Sequence, residues 1–191
     1  MRTHKLLWAS SYDRGLFWLL QMWPDIRKKY PDATLSICYG WKTYDALMAN
    51  NPERQQWKVH MISMMHQEGV KELGRLGKEE LNKLTDECGI LAYCSDFYEI
   101  FCITAVNCQL RGCVPVTTGI GALSETVQHG VVVDGDITAE SVQKEYLQAL
   151  LDLMGDERKR AKMAKEGKEW AKKFDWTKIA LLWVEEFQSD T

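Results

Sequence analysis

The sequence predicts an α/β fold in which a doubly wound parallel sheet of about six strands carries helices on both faces. Two patterns lead to this prediction. Short apolar runs alternate with segments of helical spacing as far as residue 133, and from Thr138 onward only helical spacing continues. The composition agrees, because the 191 residues are 46% hydrophobic and 27% charged, which is ordinary for one soluble globular domain.

The first part of the chain alternates strands with helices. Strands are predicted at the apolar runs of residues 5–9, 34–39 and 70–73. Helices are predicted between them, over residues 15–30 and 44–67. Pro24 is expected to kink or restart the first helix, because proline lacks the backbone donor that a helix interior needs. The turn residues Asn50, Asn51 and Pro52 are expected to break the second helix.

The second part continues this alternation and then becomes helical. Helices are predicted at residues 78–88 and 103–110, and strands at residues 90–94, from residue 114, and at residues 131–133. Extra carboxyl-terminal helices are predicted from Thr138, over residues 157–174, and from Asp175, which can cap a last helix running to about Phe187. The whole pattern is typical of a Rossmann-like sheet.

Charge and cysteine usage exclude several classes of protein. The formal net charge of -3 argues against broad binding to nucleic acid. No run of 18 apolar residues predicts a transmembrane helix, and the first apolar run is too short for a signal peptide. The six cysteines form no CxxC pair, so we expect reduced core thiols in a cytoplasmic protein; a disulfide or zinc framework is the alternative. The four histidines show no metal-ligand spacing, so no metal site is predicted.

The segment of residues 91–118 is the most informative part of the chain. It reads as a strand, a loop, a helix and a strand, so its loop should face the carboxyl edge of the sheet, where open α/β sheets bind ligands. Glu99 in that loop can accept hydrogen bonds from hydroxyl groups, and the free amides at the helix start can hold an anion. A polyhydroxylated group joined to a phosphate would satisfy both.

This segment resembles the donor-binding segment of the retaining glycosyltransferases of family 4, also called group 1, which have the GT-B fold. Those enzymes carry a Glu, seven intervening residues, a second Glu, a glycine that ends the helix, and an apolar Pro-Val strand. Glu99 matches the first Glu, whereas Asn107 stands in place of the second, and Cys102 stands where a glycine is common. The helix end and the strand are matched by Gly112, Pro115 and Val116.

The loop after the first strand also resembles that family. Arg14-Gly15 matches a Lys-Gly pair whose cation holds the nucleotide diphosphate, and an arginine fork suits phosphate. The family's upstream arginine is not found, and Ser10 and Ser11 occupy its neighbourhood. The resemblance implies catalytic roles for Arg14, on the phosphate, and for Glu99, beside the anomeric carbon. A solvated helix-start arginine and a surface loop acid are the alternatives.

The resemblance implies donor contacts along one edge of the sheet. Trp41 is the best candidate for stacking on a base or sugar, and Asn107 would bind ribose more weakly than the family's Glu, with a polar residue that merely faces solvent as the alternative. The glycine-containing loop of residues 119–122 resembles the loop after the fifth strand, although a simple turn explains it equally well. The expected donor-binding residues are Ser10, Ser11, Arg14, Gly15, Tyr39, Gly40, Trp41, Leu73, Gly74, Arg75, Ser95, Glu99, Ile100, Phe101, Cys102, Ile103, Thr104 and Asn107.

The expected function is that of the nucleotide-sugar-binding, or donor-binding, half of a retaining glycosyltransferase. It would transfer a sugar from a nucleoside diphosphate sugar to an acceptor, with no cofactor, and its partner would be a separate acceptor-binding domain or subunit. Residues 1–191 would form this single carboxyl-terminal domain, with a helix at about residues 175–188 packing back across it. The alternatives are a non-catalytic nucleotide-sugar-binding module and a GT-B relative such as a sugar epimerase.

Overall fold

A computed structural model describes residue 2 and residues 4–189 and shows a parallel six-stranded sheet. Its strands are β1 (Lys5–Trp8), β2 (Thr34–Ile37), β3 (Val70–Glu72), β4 (Ile90–Tyr93), β5 (Val114–Thr118) and β6 (Val131–Val133). Their order is β3-β2-β1-β4-β5-β6, and every adjacent pair is parallel. The predicted fold class is therefore confirmed.

Helices connect the strands and continue beyond the sheet. They are α1 (Leu16–Lys29), α2 (Lys42–Met48), α3 (Pro52–Met65), α4 (Lys78–Glu87), α5 (Ile103–Leu110), α6 (Leu123–Thr126), α7 (Glu140–Gly155), α8 (Glu157–Ala171) and α9 (Trp176–Ser189), with a 3-10 turn at Lys172–Phe174. α1 packs against α3 and α7, and α5 packs against α8. The short α6 is an element that the sequence did not predict.

The centre of the sheet is apolar on both faces. Every residue of β4 and β5 is buried, as are the last three residues of β1. Central parallel strands covered by helices have this composition, since neither face meets water. The burial holds β1 and β4 in place, and with them the starting points of the loops that follow.

Pro24 does not restart α1, which runs through it as one helix from Leu16 to Lys29. The expected break would have come from the lost hydrogen bond to the carbonyl of Leu20. Gln67 compensates for that loss, because its side-chain Nε2 donates to the Leu20 carbonyl oxygen at 2.9 Å. The expected break between α2 and α3 does occur, and Asn51 caps α3 by accepting from the amide of Arg54.

The last helix begins as predicted but buries no residue. Asp175 accepts a hydrogen bond from the amide of Thr177 at 2.9 Å. The helix's main contacts are with the preceding 3-10 turn, and Trp176 is 81% exposed. Packing of residues 175–188 back across the domain therefore stays a prediction, and residues 1 and 191, the expected domain limits, lie outside the described part of the chain.

The six cysteines are all free and buried, which confirms the predicted core thiols. Over residue 2 and residues 4–189, no helix is both long and apolar enough to cross a membrane. The same residues contain no group of three His, Cys, Asp or Glu side chains able to hold a metal ion.

Candidate functional site

The candidate site lies where the order of the strands reverses, between the carboxyl ends of β1 and β4. In open parallel sheets a crevice forms at this point, because the loops of the two central strands turn to opposite faces. The loop after β1 carries Ser10 to Gly15, and the loop after β4 carries Ser95 to Cys102. The fold thus brings together two segments that are far apart in the sequence.

Arg14 and Glu99 form an ion pair across this crevice. Arg14 Nη1 donates to Glu99 Oε1 at 3.2 Å, and the guanidinium carbon lies 3.9 Å from the centre of the Phe97 ring. Glu99 is only 6% exposed, whereas about a third of the Arg14 side chain reaches solvent. A cation and a carboxylate that the sequence places 85 residues apart therefore form one unit.

Tyr93, the last residue of β4, is a site residue that sequence reasoning missed. Its hydroxyl donates to Glu99 Oε1 at 2.5 Å and lies 3.2 Å from Ser10 Oγ. Burial, and then the hydrogen bond to Glu99, raise the pKa of Tyr93, so the hydroxyl keeps its proton and remains a donor. The available signal was its position, because the final residue of a central strand adjoins the ligand edge.

Two glycines hold the backbone of the loop that carries Glu99. Gly15 has φ +106° and Gly121 has φ +62°. A Cβ at Gly15 would lie 2.2 Å from the carbonyl oxygen of Cys94, and one at Gly121 would lie 2.2 Å from that of Glu99. The loop is thus held from both sides by backbone that only glycine allows. We call Gly15 and Gly121 the glycine clamp.

The start of α5 completes this side of the site. Ile100, Phe101 and Ile103 are exposed there, and Cys102 is buried. No side-chain hydrogen bond caps the helix among the described residues, and the amide of Ile103 donates to the carbonyl of Phe101 at 3.0 Å. Thr104 Oγ1 donates to the carbonyl of Ala9 at 3.2 Å, which ties α5 to the end of β1.

Some of the predicted donor-binding residues are exposed, and others already form hydrogen bonds within the protein. Asn107 lies exposed on α5. Ser95 is fully buried, and its hydroxyl accepts from the amide of Phe97 at 3.1 Å. Ser11 Oγ donates to Asp13 Oδ1 at 2.6 Å, so an acidic neighbour engages this hydroxyl. Arg14 is thus the predicted cation that pairs with Glu99 in the crevice.

The ends of β2 and β3 form the outer part of the same edge. The amide of Tyr39 donates to the carbonyl of Gly74 at 2.9 Å, and that of Gly40 donates to the Tyr12 hydroxyl at 2.8 Å. Leu73 and Arg75 lie exposed beside them. The structure therefore brings the predicted residues of these two loops together.

Trp41 is held in an aromatic cluster at this outer edge. Its ring packs edge-on against Tyr12, Tyr44 and Trp57, with centroid distances of 4.8, 5.5 and 6.1 Å. The side chain is half-buried by these contacts. Stacking of Trp41 on a base or sugar stays a prediction.

A family profile matches most of the chain. Residues 9–170 match the family described as glycosyl transferases group 1. A search of curated proteins finds no significant match. The matched residues run from the loop after β1 to nearly the end of α8, and so contain both loops that line the crevice.

Solved structures share the fold at low sequence identity. The GtfA/B complex has a TM-score of 0.77 and 12% identity, with 98% of this chain and 36% of that chain covered. Sucrose-phosphate synthase from Thermosynechococcus elongatus has a TM-score of 0.74 and 19% identity, with 97% of this chain and 45% of that chain covered. Anabaena HepE in complex with UDP and glucose has a TM-score of 0.73 and 19% identity, with 98% of this chain and 49% of that chain covered. This chain thus spans less than half the length of each.

Proposed function

Because this chain belongs to the group 1 glycosyltransferases, we propose that it is the donor-binding half of a retaining glycosyltransferase. It would bind a nucleoside diphosphate sugar and transfer the sugar to an acceptor held by a separate domain or subunit. Anabaena HepE has been solved with UDP-glucose, which makes a UDP-sugar the first donor to test. The six free thiols support a reducing, cytoplasmic location.

The pairing of Arg14 with Glu99 is the observation that carries this proposal. A diphosphate needs a cation, and a sugar needs a fixed acceptor for its hydroxyls; the crevice offers both at 3.2 Å from each other. A guanidinium has five N–H donors in a planar fork. Nη1 of Arg14 donates to Glu99, and the other N–H groups of the fork include donors that can bind phosphate while the pair persists.

The proposed chemistry follows from these two side chains. The bond between the anomeric carbon and the phosphate oxygen breaks, and its electron pair leaves with the diphosphate. The acceptor oxygen forms the new bond on the same face, and its proton passes to the departing diphosphate. Arg14 and the first amides of α5 stabilise the charge that develops on the leaving group, because they are already oriented. Glu99 holds the sugar hydroxyls in place during the transfer.

The other predicted contacts belong to this proposal as positions around the donor. Gly15, Ser95 and Thr104 shape the backbone near the phosphates. The loops after β2 and β3 would meet the base, and Asn107 would meet the ribose. The nucleotide sugar is a substrate, and no cofactor is proposed.

A non-catalytic donor-binding module is the second candidate. Two observations favour it: Asn107 replaces the second Glu of the family motif, and the serines near the missing upstream arginine already have partners in Tyr93 and Asp13. Both changes weaken donor binding without removing the Arg14–Glu99 pair. Turnover after the chain is combined with an acceptor-binding half would decide between the two candidates, and product analysis would reveal an epimerase.

A thermal-shift screen tests the binding that both candidates share. The panel holds UDP, GDP, ADP and TDP, with the corresponding nucleotide sugars. A ligand present at 100 times its dissociation constant should stabilise the fold by about 2.7 kcal/mol. We expect at least one nucleotide sugar to stabilise the chain more than its parent diphosphate does. A chain that no member of the panel stabilises would contradict the proposed function.

A further inference from the structure

We infer that Tyr93 is a positioning residue of the donor site, which orients Glu99 so that one carboxylate oxygen faces the sugar. The inference rests on the proposed function, since it concerns recognition of the same donor. Tyr93 itself would touch Glu99 and not the reacting atoms.

The hydrogen bonds to Glu99 show how the orientation is set. Tyr93 Oη and Arg14 Nη1 both bind Oε1, at 2.5 and 3.2 Å. Among the residues that the structure describes, no side chain or amide donates to Oε2. The protein therefore fixes Oε1 of the carboxylate. Oε2 is left to accept hydrogen bonds from the hydroxyl groups of the bound sugar.

Tyr93 is the more rigid of the two partners. Its side chain is 1% exposed, and its ring packs edge-on against Trp8 with a centroid distance of 5.0 Å. Its backbone is paired with Thr117 in the centre of the sheet. Arg14, by contrast, is partly exposed and would be shared with the diphosphate. An orienting group must not move when the ligand arrives, so the geometry favours Tyr93.

Tyr93 also connects Glu99 to the loop that follows β1. Its hydroxyl lies 3.2 Å from Ser10 Oγ, and the carbonyl of Ser10 accepts from Trp8 Nε1 at 2.9 Å. The raised pKa of Tyr93, caused first by burial, keeps this hydroxyl a donor across the pH range of binding experiments. Loss of the hydroxyl should therefore loosen Glu99 without removing any charge.

Replacement of Tyr93 by phenylalanine tests this inference. The readout is the sugar preference, defined as the ratio of affinities for the nucleotide sugar chosen by the screen and for its parent diphosphate, both measured by calorimetry. Tyr93→Phe should lower the sugar preference by about tenfold, as expected for loss of one hydrogen bond to a charged group. Affinity for the parent diphosphate should stay nearly unchanged.

Tyr30→Phe is the matched control. The Tyr30 hydroxyl donates to the carbonyl of Leu151 at 3.1 Å, and Tyr30 ends α1 at the opposite end of that helix from Arg14. It should lose similar stability and keep the wild-type sugar preference. If Tyr93→Phe does not fold, Glu99→Asp takes its place, because it keeps the charge and withdraws the carboxylate from the Tyr93 hydroxyl by one methylene; a lowered sugar preference supports the inference, and an unchanged one overturns it.

The possible outcomes separate this inference from the proposed function. If the wild-type chain binds no nucleotide sugar, both fall together. If Glu99→Gln abolishes the sugar preference while Tyr93→Phe retains it, the donor site stands and the role of Tyr93 is overturned. Equal losses for both ligands in Tyr93→Phe would indicate a merely structural tyrosine and would also overturn the inference.

Discussion

Arg14 and Glu99 divide the recognition of one ligand while depending on each other. Arg14 is the partly exposed cation of the pair, and Glu99 is its buried acid. When one partner of a buried pair is removed, the other keeps its desolvation cost without compensation. A substitution at either residue therefore changes both local stability and binding, and the two ligands must be compared on the same variant.

Glu99→Gln should weaken binding of the nucleotide sugar and leave binding of the parent diphosphate nearly unchanged, because the sugar is the part of the ligand that Glu99 contacts and Arg14 keeps its charge. Arg14→Ala should weaken both ligands by roughly tenfold or more, since a charge-assisted hydrogen bond contributes about 1.5–3 kcal/mol. Calorimetry with both ligands measures this, and Arg14→Lys, which keeps the charge, should lose less. The assigned roles would be wrong if Glu99→Gln lowered the affinity for both ligands equally, or if Arg14→Ala lowered neither affinity.

Asn107→Glu should tighten the binding of both ligands, because it restores the acid that holds ribose in the family motif. Hydrogen bonds to charged groups exceed neutral ones by about 1 kcal/mol, so we expect a gain of about fivefold. Leu110→Glu is the control, since it adds the same charge to an exposed position of α5. If both variants bound the ligands more tightly, the gain in affinity would come from the added negative charge and not from a contact with the ribose.

At the scale of elements, the Glu99 loop owes its shape to its neighbours more than to its own residues. Glu99 pairs with Gly121 in an isolated parallel bridge, and its carbonyl accepts from the amide of Ala122 at 2.7 Å. The loop after β5 thus continues the sheet past its last regular pair. The two glycines of the clamp allow these close contacts, Gly15 against the carbonyl of Cys94 and Gly121 against the carbonyl of Glu99.

Gly121→Ala should destabilise the fold more than Gly74→Ala. Both positions have positive φ, +62° and +67°, which costs a non-glycine residue about 1–2 kcal/mol. Only Gly121 adds a clash with the carbonyl oxygen of Glu99, whereas a Cβ at Gly74 meets nothing within 4 Å. Denaturant unfolding of both variants compares them directly. Equal losses would mean that the loop adjusts and that the close approach has no structural importance.

Gln67→Ala should cost about 1–3 kcal/mol of unfolding free energy, because it leaves the Leu20 carbonyl without a partner. In a Pro24→Ala background the cost should shrink, since the restored amide at residue 24 can donate to the same carbonyl. Denaturant midpoints of the four proteins in this cycle give the coupling. Strictly additive effects would contradict the explanation given for the unbroken helix.

Sequence reasoning predicted local features well and distant contacts poorly. α5 and β6 have the predicted limits, since apolar spacing and the Arg111-Gly112 stop are local signals. The expected restart of α1 at Pro24 was wrong, because the compensation for the lost hydrogen bond comes from Gln67 after α3. Tyr93 was missed for a similar reason: its environment depends on Ser10, which reaches it only through the pairing of β1 with β4.

At the scale of the whole molecule, buried thiols make the fold sensitive to alkali. Burial raises the pKa of Cys38 and Cys88 to about 12, and that of Cys102 to about 11, from 9.0. In this range the unfolded chain releases protons that the native chain retains. The thiols therefore stabilise the native state fully below pH 9, and this stability is lost as pH rises from about 9 towards 12.

The free energy of unfolding should accordingly fall steeply above about pH 9. Denaturant titrations at intervals from pH 7 to 11 measure it. A thiol reagent at pH 8 should react slowly with the native chain and count six thiols after denaturation without reductant. A flat stability profile above pH 9, or fewer than six thiols, would contradict the buried reduced cysteines.

The pairing of β1 with β4 also has a consequence for the order of folding. Leu6 pairs with Ile90 and Leu7 with Leu91, so the centre of the sheet closes a loop of more than 80 residues. Such non-local closure is entropically costly and slows folding. Arg14 and Glu99 meet only after that closure, whereas β1 and β2 can pair earlier across a shorter connection. During refolding, the capacity to bind a nucleotide sugar should therefore return with the slowest major phase and not with the first helical signal.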